Sequence, residues 1–281
     1  MPGILSTPIP CPKAIGSQWS KYELIPEQLL YEGTITQTNL FSPHPAEDEV
    51  ILRTHSADYL QKLKTQTLSA AEQRRIGFPQ SHLLTERERI ITQGTIDCCA
   101  KAFSHGIALN VAGGTHHAFR DRGEGFCLLN DFAVAANHLL HQKLADNLLI
   151  LDLDVHQGNG TASIFKMEQR VFTFSMHGKN NYPFHKEKSS LDVELPDGIG
   201  DTAYMDMLQH HLEKILVNEK PQLVFYLSGV DILETDKFGK LKVTLEGCKN
   251  RDTFVFNTLK QLSIPCVVAM GEVIRHRCEP S

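Results

Sequence analysis

The stretch LLILDLDVHQGNG, residues 148–160, decides how the whole chain is interpreted. It begins as an apolar β-strand and runs into Asp152, Asp154 and His156, which lie on one side if the strand extends that far. Carboxylates and an imidazole at a buried strand end are costly without a partner, and a divalent cation such as zinc relieves that cost. The alternative interpretation is a strand end with capping Asp residues and an exposed His.

Apolar stretches of strand length alternate with helical patterns along the chain. The strands are predicted at residues 107–111, 148–155, 171–175, 223–228 and 264–270. Helices are predicted at about residues 131–143, 202–218 and 244–262. This alternation indicates an α/β fold with a mostly parallel sheet covered by helices on both faces. In such a sheet, ligand sites lie beyond the carboxyl ends of the strands.

The chain of 281 residues is long enough for one large domain. Residues 1–20 contain Pro2, Pro8, Pro10 and Pro12 and show little periodicity, so we predict an irregular N-terminal arm there. Residues 21–281 are predicted to form a single α/β domain. We interpret the charged segments at residues 72–75 and 86–89 as solvated helix faces.

The composition of the chain argues against several classes of function. The net charge of -5 gives no global positive field, so we expect no direct nucleic-acid binding. No apolar run approaches the roughly 20 residues that span a bilayer, and residues 1–13 do not resemble a secretory signal. The 7 cysteines are scattered, which argues against a disulfide framework and favours a reducing cytoplasm. We therefore expect a cytoplasmic protein without membrane contact.

Other polar residues also follow predicted strands. Asp231 comes after the strand that begins at Leu223 and is a candidate third metal ligand, although a turn cap is an equal alternative. His116 and His117 follow residues 107–111; beside a metal they would be candidates for general acid and base, and otherwise surface residues. In the Gly-rich segment at residues 123–127, Gly125 and Phe126 are candidates for a narrow apolar passage; the simpler interpretation is a turn with a core Phe.

Taken in order, several motifs resemble those of the histone deacetylase family. They are GGTHHAF (113–119), GFCLLND (125–131), LDLDVHQGNGT (151–161), FTFSMHG (172–178) and YLSGVD (226–231). The motif sequences are most similar to those of bacterial and class IV-like members, but the termini of this chain are atypical for the family. The resemblance implies a single arginase-like α/β domain with a parallel sheet of about eight strands sandwiched by helices. It also implies one catalytic zinc ion held by Asp154, His156 and Asp231.

The resemblance further implies roles for the surrounding residues. It implies that His116 and His117 lie beside the attacking water, with Asp152 orienting His116 and Asn159 facing His117. It implies tunnel walls at Phe126 and Tyr182 with Gly125 as the floor. It also implies a potassium site near the metal strand, which would use Asp152, Asp154, His156, Ser175 and Met176.

The implied activity is hydrolysis of acyl-lysine in a protein or peptide by metal-activated water. Family members carry a Tyr after the last strand whose hydroxyl donates to the oxyanion, but no Tyr follows Tyr226 here. Losing such a donor costs on the order of 10²–10³ in rate, so we expect weakened hydrolysis unless His276 or water substitutes. Two alternatives stay open: a catalytically weak acyl-lysine binding protein, and a deacetylase of acetylpolyamines or other small acylated amines.

Overall fold

The structure is a computed structural model that describes residues 4–6 and 21–271. Its strands are β1 (Ile4–Ser6), β2 (Leu40–Phe41), β3 (Ile107–Asn110), β4 (Leu148–Asp152), β5 (Val171–Gly178), β6 (Leu191–Leu195), β7 (Leu223–Leu227) and β8 (Cys266–Ala269). Its α-helices are α1 (Lys21–Tyr31), α2 (Asp48–Ile51), α3 (Ala57–Thr65), α4 (Ala70–Ile76), α5 (His82–His105), α6 (Asp131–His141), α7 (Asn159–Phe165), α8 (Asp201–Glu219) and α9 (Leu245–Gln261).

All strand pairs in the sheet are parallel, in the order β2-β1-β3-β8-β7-β4-β5-β6. Strands β3 to β8 form the main sheet, and the three-residue β1 and two-residue β2 extend one edge. The main part of the sheet therefore has six strands, and the short β1 and β2 bring the whole sheet to the eight expected; the predicted α/β class with a parallel sheet is confirmed. Strand β4 lies centrally, between β7 and β5.

The central strands bury both faces, so side chains alternate between two hydrophobic layers. Leu149 and Leu151 of β4 belong to the cluster that includes Leu208 of α8 and Val255 of α9. Leu148 and Ile150 belong to the opposite cluster, which includes Cys98 of α5 and Phe132 of α6. Continuous apolar strands are what a sheet covered on both faces requires. This sandwich leaves only the strand ends available for polar chemistry.

Strand β4 ends at Asp152 rather than at residue 155, so the predicted length was wrong. The reason is local: Asp152 Oδ1 accepts the N–H of Asp154 at 3.2 Å, and Asp154 Oδ1 accepts the N–H of His156 at 2.9 Å. These side-chain bonds compete with strand pairing and turn the backbone. Asp154 and His156 consequently reach the site from a turn and not from an extended strand.

Two other expectations need correction. The charge pattern predicts a solvated helix face, but Arg87 and Glu88 are buried at 2% exposure each and form an ion pair. They are buried because α5 packs against α3 and the guanidinium of Arg87 lies over the ring of Tyr22 in α1. Part of the predicted irregular arm, Ile4–Ser6, is strand β1, whose backbone pairs with β2 and β3. The rest of the arm, residues 1–3 and 7–20, lies outside the described residues.

Within the described ranges, no helix is both long and apolar enough to cross a membrane. Cysteines in these ranges are buried free thiols: Cys98, Cys99, Cys127, Cys248 and Cys266. Burial raises the pKa of Cys98, Cys99 and Cys266, which keeps these thiols protonated at neutral pH. They act as small core residues.

Candidate metal centre and active site

Two neighbouring strands bring three potential metal ligands together. Asp154 and His156 lie in the turn after β4, and Asp231 lies after β7, which pairs directly with β4. One ligand atom from each residue lies within 4.8 Å of the other two. His156 Nδ1 is 3.0 Å from Asp154 Oδ1 and 2.9 Å from Asp231 Oδ2. The three side chains therefore point at one shared position.

The electrostatics of this cluster fit a divalent cation. Asp231 Oδ1 accepts the N–H of Val155 at 3.0 Å, whereas the buried Asp231 Oδ2, although 2.9 Å from His156 Nδ1, has no donor aligned for a hydrogen bond. Burial and the nearby Asp231 carboxylate raise the pKa of Asp154 above its usual range. Because two buried carboxylates repel one another and one carries an unsatisfied oxygen, a cation is the partner that satisfies both. Carboxylate oxygens and an imidazole nitrogen are ligands that zinc accepts.

Adjacent imidazoles form the second part of the site. The rings of His116 and His117 lie with centroids 4.0 Å apart in the loop after β3, and both are buried. His116 Nδ1 is 2.8 Å from Asp152 Oδ2. His117 Nδ1 is 2.7 Å from Asn159 Oδ1. One imidazole thus has a carboxylate partner and the other has an amide partner.

The two partners separate the proton affinities of the two imidazoles. Burial alone lowers the pKa of each ring, but the Asp152 carboxylate raises the pKa of His116 to about 9. The pKa of His117 falls well below its usual value because burial and the charges of His116 and His156 are not offset by Asn159. This arrangement favours a positively charged His116 beside a neutral His117.

A pocket of about 530 Å³ opens over these residues. Gly125, Phe126 and Tyr182, predicted to form the tunnel, all line it. The ring of Tyr182 stands edge-on to that of His117, with centroids 5.0 Å apart. Gly125 and Phe126 both have left-handed backbone conformations, with φ of 54° and 67°, which is unusual for a bulky residue such as Phe.

The end of helix α4 holds that unusual loop. The N–H of Gly125 donates to the carbonyl of Arg75 at 3.1 Å, and the N–H of Phe126 donates to the carbonyl of Ile76 at 2.7 Å. The side chains of Arg74 and Arg75 consequently line the mouth of the pocket, in an exposed setting. The charge pattern of residues 72–75 predicts a solvated helix face. Arg74 and Arg75 are exposed as expected, but they also border the site.

Sequence reasoning missed the residue that fixes the histidine loop. Asp131 is the first residue of α6 and is buried at 1% exposure. Its carboxylate accepts the N–H groups of Gly114 at 3.1 Å and Thr115 at 2.9 Å, and the hydroxyls of Thr115 at 2.9 Å and Thr95 at 2.6 Å. The signal was present, because Asp131 ends the motif GFCLLND.

The residues expected at a potassium site lie in and beside strand β4, which leads to the proposed metal ligands. Asp152 of β4 pairs in register with Ser175 of β5, and Met176 follows in the same strand, fully buried. The Ser175 hydroxyl shares a hydrogen bond of 2.9 Å with His177 Nδ1. A potassium role for these residues stays a prediction, and His276, the expected substitute donor, lies outside the described residues.

Together, the fold and this strand-end site define an α/β protein with an Asp–His–Asp cluster that could hold a metal ion beside paired imidazoles. A sequence model of the histone deacetylase domain matches residues 17–272, and the chain belongs to the histone deacetylase family. It is similar to an uncharacterized protein of Picosynechococcus sp., with 41% identity covering 93% of this chain and 88% of that protein. It also resembles histone deacetylase 2 of Arabidopsis thaliana, with 31% identity covering 89% of this chain and 67% of that protein.

The solved structures show the same architecture. The crystal structure of a histone deacetylase homologue from Aquifex aeolicus superposes with a TM-score of 0.79 at 22% identity. The match covers 96% of this chain and 79% of that one. At this identity the likeness establishes the shared fold, and the assignment of roles to individual side chains rests on the geometry described above.

Proposed function

We propose that this protein is a zinc-dependent amidohydrolase that removes acetyl or other acyl groups from lysine side chains. The observation that carries the proposal is the convergence of Asp154, His156 and Asp231 on one position beside two buried imidazoles with different partners. A zinc ion held there would polarise an amide carbonyl and lower the pKa of water. Family membership supports the deacylase class.

In this proposal the two histidines divide the proton chemistry. His117 is the base that removes a proton from the attacking water, because its low pKa keeps it neutral. His116, whose pKa is raised to about 9 beside Asp152, stays positively charged and stabilises the developing oxyanion. The proton taken by His117 then passes to the leaving amine nitrogen. This assignment makes His117 both the base and the later acid.

The walls of the pocket support an extended aliphatic substrate. Phe126 and Tyr182 supply aromatic faces on the way to the metal cradle, and Gly125 leaves room between them and His117. An acyl-lysine side chain has four methylene groups that such faces can bury, with the amide at the deep end. The proposed substrate is therefore a long, slender acylated amine.

The charge at the mouth favours acyl-lysine over an acetylpolyamine. Arg74 and Arg75 border the opening, and Asp236, which also lines the pocket, has its Oδ1 bonded to the N–H groups of Phe238 and Gly239. Guanidinium groups repel the further amino groups of a polyamine, whereas peptide backbone carries no such charge. We therefore place acetylpolyamine hydrolysis second.

The weak-binder alternative rests on the segment after β8. Residues 271–281, which directly follow Met270, contain no Tyr, so we infer that this segment supplies no phenol donor to the oxyanion. We propose a turnover rate lower by on the order of 10²–10³ than with that donor. Placing Gly-Gly-Tyr after Met270 should raise kcat. An unchanged kcat would contradict this explanation.

Metal analysis and hydrolysis assays test the main proposal. The purified protein should contain about one zinc per chain and should release acetate from an acetyl-lysine peptide faster than from acetylspermidine. Zinc with peptide binding but no product would favour the acyl-lysine binder. Faster hydrolysis of acetylspermidine would favour the polyamine deacetylase. Full peptide turnover after exhaustive chelation would remove the metal from the mechanism.

Two finer points belong to the same proposal. A potassium ion would bind through oxygens of Asp152, Ser175 and Met176, and activity should then depend on KCl relative to a choline salt at equal ionic strength. The compartment we propose is the cytoplasm, which the buried free thiols support.

A further inference from the structure

The side chain of Glu124 connects the tunnel wall to the proposed base. Glu124 Oε1 accepts the hydroxyl of Tyr182 at 2.5 Å and the amide Nδ2 of Asn159 at 3.0 Å. Asn159 Oδ1 in turn lies 2.7 Å from His117 Nδ1. The Glu124 side chain is 16% exposed, so this chain of contacts is largely shielded from water. A carboxylate therefore stands one amide away from His117.

The chemistry of each group gives these bonds a direction. An ionised carboxylate only accepts, so the Asn159 amide must turn its NH₂ toward Glu124 and its oxygen toward His117. That oxygen also only accepts, so a neutral His117 must carry its proton on Nδ1. Nε2 is then the nitrogen with the free lone pair. Without the carboxylate, the amide could turn over and favour the opposite tautomer.

The backbone holds Glu124 in place for this task. Its N–H donates to the carbonyl of Cys127 at 3.0 Å, and the N–H of Cys127 donates back to the Glu124 carbonyl at 2.9 Å. The guanidinium Nε of Arg122 lies 3.6 Å from Glu124 Oε2, so the second carboxylate oxygen faces a cation. The loop is thus closed on itself before it meets Asn159.

We propose that Glu124 is a positioning residue that acts through Asn159 to fix the tautomer of His117, with the proton on Nδ1 and the lone pair on Nε2. The same carboxylate accepts a hydrogen bond from the Tyr182 hydroxyl, so Tyr182 presents its ring to the pocket. The inference rests on the proposed function only in assigning His117 as the base. The tautomer itself is a property of the protein that exists without turnover.

Replacing Glu124 by Leu tests this role, because Leu removes the acceptor at similar size. In the zinc-loaded protein labelled with ¹⁵N-histidine, the His117 resonance, identified by its loss in His117→Gln, should change from the Nδ1–H form toward a mixture. We expect kcat to fall about 10- to 100-fold while KM and zinc content stay close to wild type. Glu213→Leu, an exposed position on α8, is the matched control.

A paired exchange separates positioning from a merely structural role. In Glu124→Gln combined with Asn159→Asp, the new Gln amide can donate to the new carboxylate, which accepts the Nδ1 proton of His117 directly. Read at a pH above the raised pKa that a carboxylate partner gives an imidazole, this double variant should restore the Nδ1–H resonance of the neutral ring. It should also raise kcat above that of Asn159→Asp alone, where two carboxylates would face each other. It also keeps the net charge, and it provides a readout if Glu124→Leu does not fold.

The outcomes are distinct. An unchanged His117 tautomer in Glu124→Leu would overturn the proposal, whether or not kcat falls. Failure of the paired exchange to restore the resonance would also overturn it. If the wild-type protein shows no turnover but the tautomer responds as expected, the proposed function fails while the positioning role of Glu124 stands.

Discussion

The pocket has two halves that are held in different ways. The strand-end half consists of Asp152 at the end of β4, Asp154 and His156 just after it, and Asp231 after the paired strand β7. The loop half consists of His116, His117, Gly125 and Phe126, which lie on connections between elements. Strand pairing places the first half, whereas hydrogen bonds to side chains and backbone carbonyls that are distant in sequence place the second.

This difference separates the functions of the two halves. Residues that follow neighbouring parallel strands are held at a fixed spacing, which suits metal ligands because coordination tolerates little displacement. The loop half depends on Asp131, which bonds the loop that carries both histidines, and on the carbonyls at the end of α4. We therefore expect substitutions in the first half to remove metal, and substitutions in the second to reduce turnover or stability with the metal retained.

Replacing Asp231 by Ala should have the largest effect. It removes one of three proposed ligands and leaves the N–H of Val155 without its 3.0 Å acceptor. We expect zinc affinity to fall by more than about 100-fold, the upper range for residues that merely support a ligand, and activity to vanish with it. Metal content after dialysis measures this, with the exposed Asp197→Ala as the control. Full zinc occupancy in Asp231→Ala would mean that the third ligand is another residue.

Replacing His117 by Gln should lower activity without removing metal. Loss of a general base costs typically 10²–10⁴ in rate, so we expect kcat to fall in that range. Zinc content should match wild type, because His117 bonds to Asn159 and supplies no ligand to the Asp154 cluster. The exposed His210→Gln on α8 is the control. Loss of zinc from His117→Gln would erase the proposed distinction between the two halves.

The strand-end half was largely predictable from sequence. An apolar strand that runs into Asp152, Asp154 and His156 is a pattern typical of a metal site. The apolar strand β7, followed by Gly229 and Asp231, shows a similar pattern. Parallel pairing then requires the two ends to meet. What the pattern could not supply was the end of β4, because the side chains of Asp152 and Asp154 bond to the backbone two residues ahead and stop the strand.

The loop half was less predictable because its contacts join residues far apart in sequence. Asp131 binds Thr95, 36 residues earlier, and Glu124 binds Tyr182, 58 residues later. Neither contact produces a periodic pattern. The prediction of a solvated face at Arg87 and Glu88 was wrong for a related reason. The charge pattern alone indicates an exposed face, but the packing of α5 buries both side chains. Strand β6 was also not predicted; it lies at the edge of the sheet with partly exposed residues.

Replacing Asp131 by Asn should destabilise the loop half more than it disturbs the metal. The buried carboxylate accepts from Gly114, Thr115 and Thr95, and an amide would turn an NH₂ group toward some of those donors. Hydrogen bonds to charged groups contribute about 1.5–3 kcal/mol each, so we expect a loss of about 3 kcal/mol in the free energy of unfolding. Urea denaturation measures it, with the exposed Asp206→Asn as the control. A loss below about 0.5 kcal/mol, the range of ordinary surface substitutions, would contradict the assigned tether.

A smaller effect should appear as a pH dependence of stability through His55, which supports the same loop half. His55 Nε2 accepts the N–H of Asn130, whose side chain donates to the carbonyl of Ala118 just after the paired histidines. Burial lowers the pKa of His55 to about 4.

Because the unfolded chain binds a proton near pH 6.5 and the folded one does not, stability is complete above pH 6.5 and falls as the pH drops toward 4. The contribution lost between pH 7 and pH 5 is about 2 kcal/mol. His55→Gln, which keeps an acceptor but does not titrate, should reduce the fall in the free energy of unfolding by that amount relative to wild type. Equal pH dependence in the two proteins would show that His55 does not couple protonation to the packing of the histidine loop.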